Sequence, residues 1–130
     1  MIQELNETKI LGGVCKQIPG GSNVDAVVVS NDFGSDLAIY AMTIRYKTGL
    51  ENVTCTLKKD TDDKAYTGGS HNFRSLGSED GVGTRKILFP KKKPILKKGQ
   101  KIILSVFTPV STTIHAGDVT LSIEAEFIKI

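Results

Sequence analysis

The sequence predicts an all-β protein, an antiparallel β-sandwich or jelly roll of about seven or eight strands. Three observations predict this fold class. Several segments alternate apolar and polar residues with a period of two, and no segment sustains the 3.6-residue period of a helix. Turn-forming residues separate these segments at intervals of about 8 to 14 residues, which is the spacing of strands in sandwiches.

The C-terminal segment Asp118–Lys129 shows the period of two most clearly. Val119, Leu121 and Ile123 alternate there with Thr, Ser and Glu residues. Successive side chains of a strand point to opposite faces, so this pattern predicts a strand with one buried and one wet face. The pattern changes phase at Ile128, which predicts a bulge or a new contact for the last residues.

Leu37–Tyr46 is apolar at most positions on both faces, which is typical of a central strand. Gly99 and Pro109 bound the β-rich run Gln100–Thr108. The loop Asp60–Ser70 is the most polar stretch and is expected to be a mobile surface excursion. The remaining strand candidates are Lys9–Ile18, Val24–Ser30, Val53–Leu57, a short one within His71–Leu76, and Thr84–Phe89.

The length and composition predict a single domain over residues 1–130. The chain has 39% hydrophobic and 24% charged residues, which is ordinary for a folded globular protein. Met1–Lys16 contains Glu4 and Glu7 and no apolar run, so no secretory signal is predicted. No apolar run is long enough for a membrane span.

Two cysteines, Cys15 and Cys55, could form a disulfide, but the sequence favours two buried free thiols. Neither belongs to a CxxC motif, and His71 and His115 are the only histidines. A zinc site would need all four residues to converge from unrelated positions. No metal site and no cofactor are therefore predicted.

The charge is concentrated in one place. The chain has 17 basic and 14 acidic residues, a net charge of +3. Residues 84–101 hold eight of the basic residues and no acid, which leaves nine basic residues against 14 acidic ones elsewhere. These eight are the candidate site residues, for an interface or for contact with an anion: Arg85, Lys86, Lys91, Lys92, Lys93, Lys97, Lys98 and Lys101.

Three interpretations of this basic segment stay open. It could be a loop between two strands, anchored by its apolar residues, with solvated lysines. It could face phosphates, although Phe89 is its only aromatic residue and base stacking needs more. It could contact the acidic surface of a neighbouring protein, which a block of like charge is suited to. Pro90 and Pro94 flank the three consecutive lysines and exclude a helix in any of these cases.

Signals for catalysis or calcium binding are weak, and no catalytic residue is predicted. His115 follows a Ser/Thr-rich stretch, but the chain has no GxSxG motif. Glu124 and Glu126 share a strand face, and alternation on a wet face accounts for them. The acid-rich stretches at residues 31–36 and 60–63 lack the ligand spacing of a calcium loop and suit turns instead.

In overall layout the chain resembles the small single-jelly-roll capsid, spike or cementing proteins of viruses. The resemblance is one of architecture and transfers no site residues. It implies a non-enzymatic structural subunit that binds copies of itself or related subunits and assembles into a virion in the host cytoplasm. Two alternatives remain: a soluble β-sandwich that binds carbohydrate or another small ligand, and a nucleic-acid-binding protein that uses the lysine-rich segment.

Overall fold

The protein is an all-β sandwich of two antiparallel sheets, which confirms the predicted fold class. The computed structural model describes residues 8–60, 71–73 and 83–128. Within these residues there are nine strands, two of them only two residues long. They are β1 (Thr8–Val14), β2 (Asn23–Ser30), β3 (Leu37–Tyr46), β4 (Thr54–Lys59), β5 (His71–Asn72), β6 (Thr84–Leu88), β7 (Ile95–Leu96), β8 (Lys101–Phe107) and β9 (Val119–Phe127).

The strand order is that of a jelly roll. The first sheet has the order β1-β9-β3-β6, with β7 also paired to β3, and the second has the order β2-β8-β4-β5. The chain therefore forms four nested antiparallel pairs, β1 with β9, β2 with β8, β3 with β6 and β4 with β5. A long hairpin that rolls up so that alternate pairs enter alternate sheets gives this arrangement.

The core lies between the inner faces of the two sheets. The alternation predicted for the last strand is confirmed, because Val119, Leu121 and Ile123 of β9 are fully buried. β3 is a central strand, between β9 and β6, as its sequence predicts. From the second sheet, Leu57 and Leu104 are fully buried opposite them.

Aromatic pairs close the two ends of this core. At one end the rings of Tyr46 and Phe73 stack with centroids 4.7 Å apart. At the other end the rings of Phe33 and Phe127 meet edge to face at 5.6 Å. Such pairs add to the burial free energy of the rings, so both ends resist fraying.

Some predicted elements differ in extent, and others fall partly outside the described residues. β7 was not predicted as a strand, and Leu96 within it is fully buried. β9 ends at Phe127, and the amide of Ile128 donates to the carbonyl of Asp36 at 3.2 Å, a new contact after the change of phase. Residues 61–70, 74–82 and 129–130 lie outside the described part, and with them most of the Asp60–Ser70 loop and of the His71–Leu76 candidate.

Within the part of the chain that the structure describes, no helix has the length and apolarity that a membrane crossing needs.

The adjacent glycines of β1 predict opposite responses to alanine. A β-carbon at Gly13 would lie 2.8 Å from a methyl group of buried Val27, whereas one at Gly12 would meet only the carbonyl of Leu121 at 3.5 Å. We expect Gly13→Ala to lower the free energy of unfolding by about 1–3 kcal/mol through overpacking. Gly12→Ala should change it by less than about 0.5 kcal/mol. Urea denaturation of both variants measures this, and equal losses would contradict the inward orientation of Gly13.

Candidate functional site

The strands β6 and β7 are two parts of one interrupted edge strand. β6 pairs with the second half of β3 and β7 with its first two residues. Between them, the amide of Phe89 donates to the carbonyl of Tyr40 at 3.0 Å, and the amide of Ile39 donates to the carbonyl of Pro94 at 2.9 Å. Ile39 and Tyr40 are neighbours in β3, yet their hydrogen-bond partners, Pro94 and Phe89, are five positions apart in the sequence. Residues 90–93 consequently leave the sheet as a short excursion, which we call the lysine bulge.

The sequence explains why the chain leaves the sheet here. Pro90 has no amide hydrogen to donate, so it cannot continue the ladder of hydrogen bonds. Phe89, immediately before it, is half-buried and packs against the core, which fixes the start of the bulge. Three lysines follow, of which Lys91 and Lys92 are exposed and Lys93 is half-buried. The bulge therefore presents three positive charges from a short segment fixed at both ends.

A second cationic group, Lys97 and Lys98, lies in the turn between β7 and β8. The Lys97 amide donates to the Gln100 side chain at 2.8 Å, and the Gln100 amide donates back to the Lys97 carbonyl at 2.9 Å. Gly99 adopts a φ of 85°, which favours glycine. The Lys98 amide donates to the Asp36 carboxylate at 3.0 Å. Both lysine side chains are exposed.

Buried Asn31 fixes this turn to the sheet. Its side-chain amide donates to the carbonyls of Leu96 at 2.9 Å and Ser35 at 3.0 Å, and its side-chain oxygen accepts from the Phe33 amide at 3.1 Å. Its backbone amide and carbonyl bond to Gln100 and Gly99. A buried amide that is satisfied in this way holds its partners in one arrangement.

The third cationic group is Arg85 and Lys86 on β6. The ammonium of Lys86 lies 3.9 Å from the carboxylate of Glu124 on β9, across the intervening β3. Both side chains are partly exposed, so this pair contributes little to stability. Lys86 remains available to an anionic partner at the cost of a weak contact.

The structure places seven of the eight predicted site residues along one sheet edge and adds a cation that sequence reasoning missed. Lys101 is the exception, because it begins β8 in the second sheet. The added residue is Lys59 of β4, whose ammonium donates to the carbonyl of Ile95 at 3.2 Å. Nothing in the sequence connects residues that are 36 positions apart. We call Lys59 and the seven cations together the cationic edge.

The cationic edge is a row of charge rather than a pocket. It extends from the position opposite Ile44 to the turn beyond Leu37, or about 25 Å at a strand rise of about 3.3 Å per residue. Charges arranged along a line on a fixed framework suit an extended anionic surface. Lysines, prolines and bulges on an edge strand also prevent a second strand from pairing with it. What this edge offers to its surroundings is therefore side-chain charge and not a regular backbone ladder.

The other candidate residues lie apart from this edge. His115 lines a shallow depression of about 270 Å³ with Ser111, Thr113 and Asp118, and the Asp118 carboxylate accepts the His115 backbone amide at 3.0 Å. The Asp118 carboxylate therefore already accepts a hydrogen bond within this turn. In the described residues no group of three or more His, Cys, Asp or Glu side chains could hold a metal ion.

Both cysteines are free and buried, as the sequence favours. Burial raises the pKa of the Cys55 thiol to about 12, from 9.0 for an exposed thiol. The thiol therefore stays protonated, and unreactive as a nucleophile, at neutral pH.

The sequence matches no model of a known protein family, and a search of curated proteins finds no similar sequence. A fold is shared by many functions, so the function has to be inferred from the surfaces described above.

We predict that Asn31→Ala lowers the free energy of unfolding by about 1–3 kcal/mol, because the carbonyl of Leu96 loses a buried hydrogen-bond donor. The exposed neighbour Asp32 provides a matched control, and Asp32→Ala should change the value by less than about 0.5 kcal/mol. Urea denaturation at neutral pH compares the two. Equal effects would show that the Asn31 contacts do not hold the turn.

We also predict that Cys55 makes stability depend on alkaline pH. The folded thiol keeps its proton while the unfolded thiol loses it above about pH 9, so the free energy of unfolding falls as the pH rises towards 12. The slope from this group is at most about 1.4 kcal/mol per pH unit. Comparing the wild type with Cys55→Ala between pH 8 and pH 11 isolates it, since other groups titrate in both. Parallel curves would contradict the prediction.

Proposed function

We propose that this protein is a non-enzymatic structural subunit of a virus-like particle, a capsid, spike or cementing protein. Its copies, or related subunits, bind one another through charge-complementary contacts. The observation that carries the proposal is the cationic edge, a row of about 25 Å of positive charge along the β6–β7 edge of a jelly-roll sheet.

The fold supports a role in assembly. A jelly roll in which both sheets contribute to a single core forms a rigid block, and rigid blocks can be placed side by side with little loss of conformational entropy. The two edges of its first sheet differ chemically, because β6, the lysine bulge and the turn after β7 carry the cations while β1 exposes Ile10 and Val14. Contact between unlike surfaces of identical subunits generates rings or larger assemblies.

The charge distribution supports a protein partner with an acidic face. Outside residues 84–101 the chain has nine basic and 14 acidic residues, so another copy offers carboxylates to the cationic edge. Glu124 and Glu126 lie half-buried on the outer side of the first sheet, and exposed Asp25 lies on the second. Complementary charges of this kind orient subunits and accelerate their encounter.

The alternative of nucleic-acid binding finds less support. Phe89 is half-buried against the core, so the described part of the cationic edge offers no exposed ring for a base to stack on. The carbohydrate alternative meets the same shortage, because Phe107 is the one aromatic residue among the described ones that is more than a third exposed.

We predict that the purified wild type forms assemblies larger than its 14.0 kDa monomer at low salt, and that these dissociate as salt screens the charges. Lys91→Ala/Lys92→Ala should weaken assembly at low salt, because it removes two exposed charges from the lysine bulge. Light scattering at about 20 mM and at about 500 mM NaCl measures both effects. At the higher concentration the Debye length is below about 10 Å, so the charges are screened.

The matched control is Lys47→Ala/Lys58→Ala, which removes the same charge outside the cationic edge and should assemble like the wild type. A monomer at every salt concentration, alone and with the other structural proteins of its source, would refute the proposal. If instead the wild type binds a DNA column more tightly than the Lys91→Ala/Lys92→Ala variant does, with affinity falling steeply in salt, the nucleic-acid alternative replaces it.

A further inference from the structure

We propose that the free edge of β1 pairs with β1 of a second copy of this chain. The two strands run antiparallel about a two-fold axis at Gly12, so that the first sheet continues from one subunit into the other. This contact lies on the edge opposite the cationic edge. It does not rest on the function proposed above, because it depends on backbone hydrogen bonds and apolar contacts.

The backbone of β1 offers a ladder of hydrogen bonds to a second strand. β1 pairs with β9 on one side, and among the described strands none pairs with its other side. The amide of Cys15 donates to the carbonyl of Val119 in β9 at 3.0 Å. Because successive residues of a strand direct their amides to opposite sides, Ile10, Gly12 and Val14 direct theirs to the free edge.

Over residues 10–14 this edge lacks the devices that block the other edge of the same sheet, and Lys9 is the one charged residue of β1. Residues 10–14 contain no charge and no proline, and their register with β9 is unbroken. An uncharged, regular edge strand is the kind that accepts another strand. The two edges belong to the same sheet, so they differ in their residues and not in the type of sheet.

The side chains beside the free edge are apolar and exposed. Ile10 is 70% exposed and Val14 is 64% exposed. With the two-fold axis at Gly12, Ile10 of each copy lies opposite Val14 of the other, and Gly12 lies opposite Gly12. Pairing therefore covers both apolar side chains in each subunit and opposes no like charges.

Among the described residues of a single subunit, nothing requires a glycine at position 12. A β-carbon there would make only an ordinary contact, 3.5 Å from the Leu121 carbonyl, and its φ is not positive. Glycine weakens a strand, and a glycine inside one often marks the close approach of another backbone. Self-pairing at Gly12 supplies that second backbone.

Charge complementarity favours a second copy over an unrelated strand. The same register brings residue 16 of one copy beside residue 8 of the other. Asp32, together with Phe33, lines a groove of about 420 Å³ beside residues 10–12 of β1. Lys16 and Asp32 are both exposed, and we infer that this register brings Lys16 of one copy towards Asp32 of the other. The two-fold axis generates this contact twice.

The expected affinity is low. Stable interfaces bury about 1,200–2,000 Å² in total, and a strand pair in which residues 10–14 of the two β1 strands overlap, with two rim contacts, covers only part of that. The dimer should therefore form in a concentration-dependent way and gain lifetime only where other contacts also hold the subunits.

Sedimentation velocity at 500 mM NaCl and increasing concentration tests the pairing, because this salt weakens contacts of the cationic edge. We expect a monomer–dimer equilibrium for the wild type and a monomer for Val14→Lys, which places a charge in the pair. Leu88→Lys is the matched control, since Leu88 is 62% exposed on the opposite edge strand, and it should behave like the wild type. A wild type that remains monomeric up to about 1 mM would overturn the proposal, because even a Kd of 1 mM would then show a dimer.

Charge reversal tests the two-fold register at low salt. Lys16→Asp and Asp32→Lys should each weaken the dimer by at least about threefold, since each opposes like charges at two rim positions. The double variant Lys16→Asp/Asp32→Lys should recover the wild-type affinity. Additive losses in the double variant would refute this register.

A cysteine at the axis provides a measurement that does not depend on affinity. Opposite residues of a hydrogen-bonded antiparallel pair have α-carbons about 5.5 Å apart, which suits a disulfide. Gly12→Cys should cross-link into a dimer under mild oxidation, and Leu88→Cys should do so much more slowly. Cross-linking of Gly12→Cys to a different protein in preference to itself would assign the edge to another chain. Lys91→Ala/Lys92→Ala should leave this cross-link unchanged, so this proposal and the assembly proposal can fail separately.

Discussion

The whole fold depends on burial of the two inner sheet faces against each other. Alternating aliphatic residues of β3 and β9 meet those of β4 and β8, and their burial offsets most of the entropy lost on folding. Because side chains alternate, the same constraint sends every second residue outward. The core therefore decides which residues are left to meet a partner, and it leaves Ser, Thr and Glu on the outer side of β9.

The edges are where this sandwich differs from a closed barrel. A barrel has no unpaired strands, whereas an open sheet always has two. In the first sheet the two edge strands have opposite chemical properties. One carries the lysine bulge, which prevents strand pairing and presents charge, and the other is regular and, over residues 10–14, has no charged side chain. If both proposed contacts form, they differ in the type of force, since salt weakens a contact between charges and has little effect on backbone hydrogen bonds and apolar contacts.

The sequence predicted the fold class because period-two alternation and turn residues are local signals. The run of cations in residues 84–101 is visible in the sequence for the same reason, since these residues lie close together in the chain. The sequence could not predict that Lys59 joins them or that Lys101 lies in the other sheet, because strand pairing decides both. Asn31 was assigned to a turn, as its residue type suggests, but its bonds to residues 96, 99 and 100 join parts of the chain that only the folded state brings together.

The attachment of the lysine bulge at neighbouring residues of β3 has a consequence for how this surface can change. Ile39 and Tyr40 form hydrogen bonds with the residues on either side of residues 90–93. The sheet is therefore continuous at this point, and its pairing does not depend on the length or composition of the bulge. Loop-closure entropy rises only slowly with added residues. Mutation can therefore lengthen, shorten or recharge this segment with little effect on the core. An insertion at this position would leave the pairing of β6 and β7 with β3 unbroken.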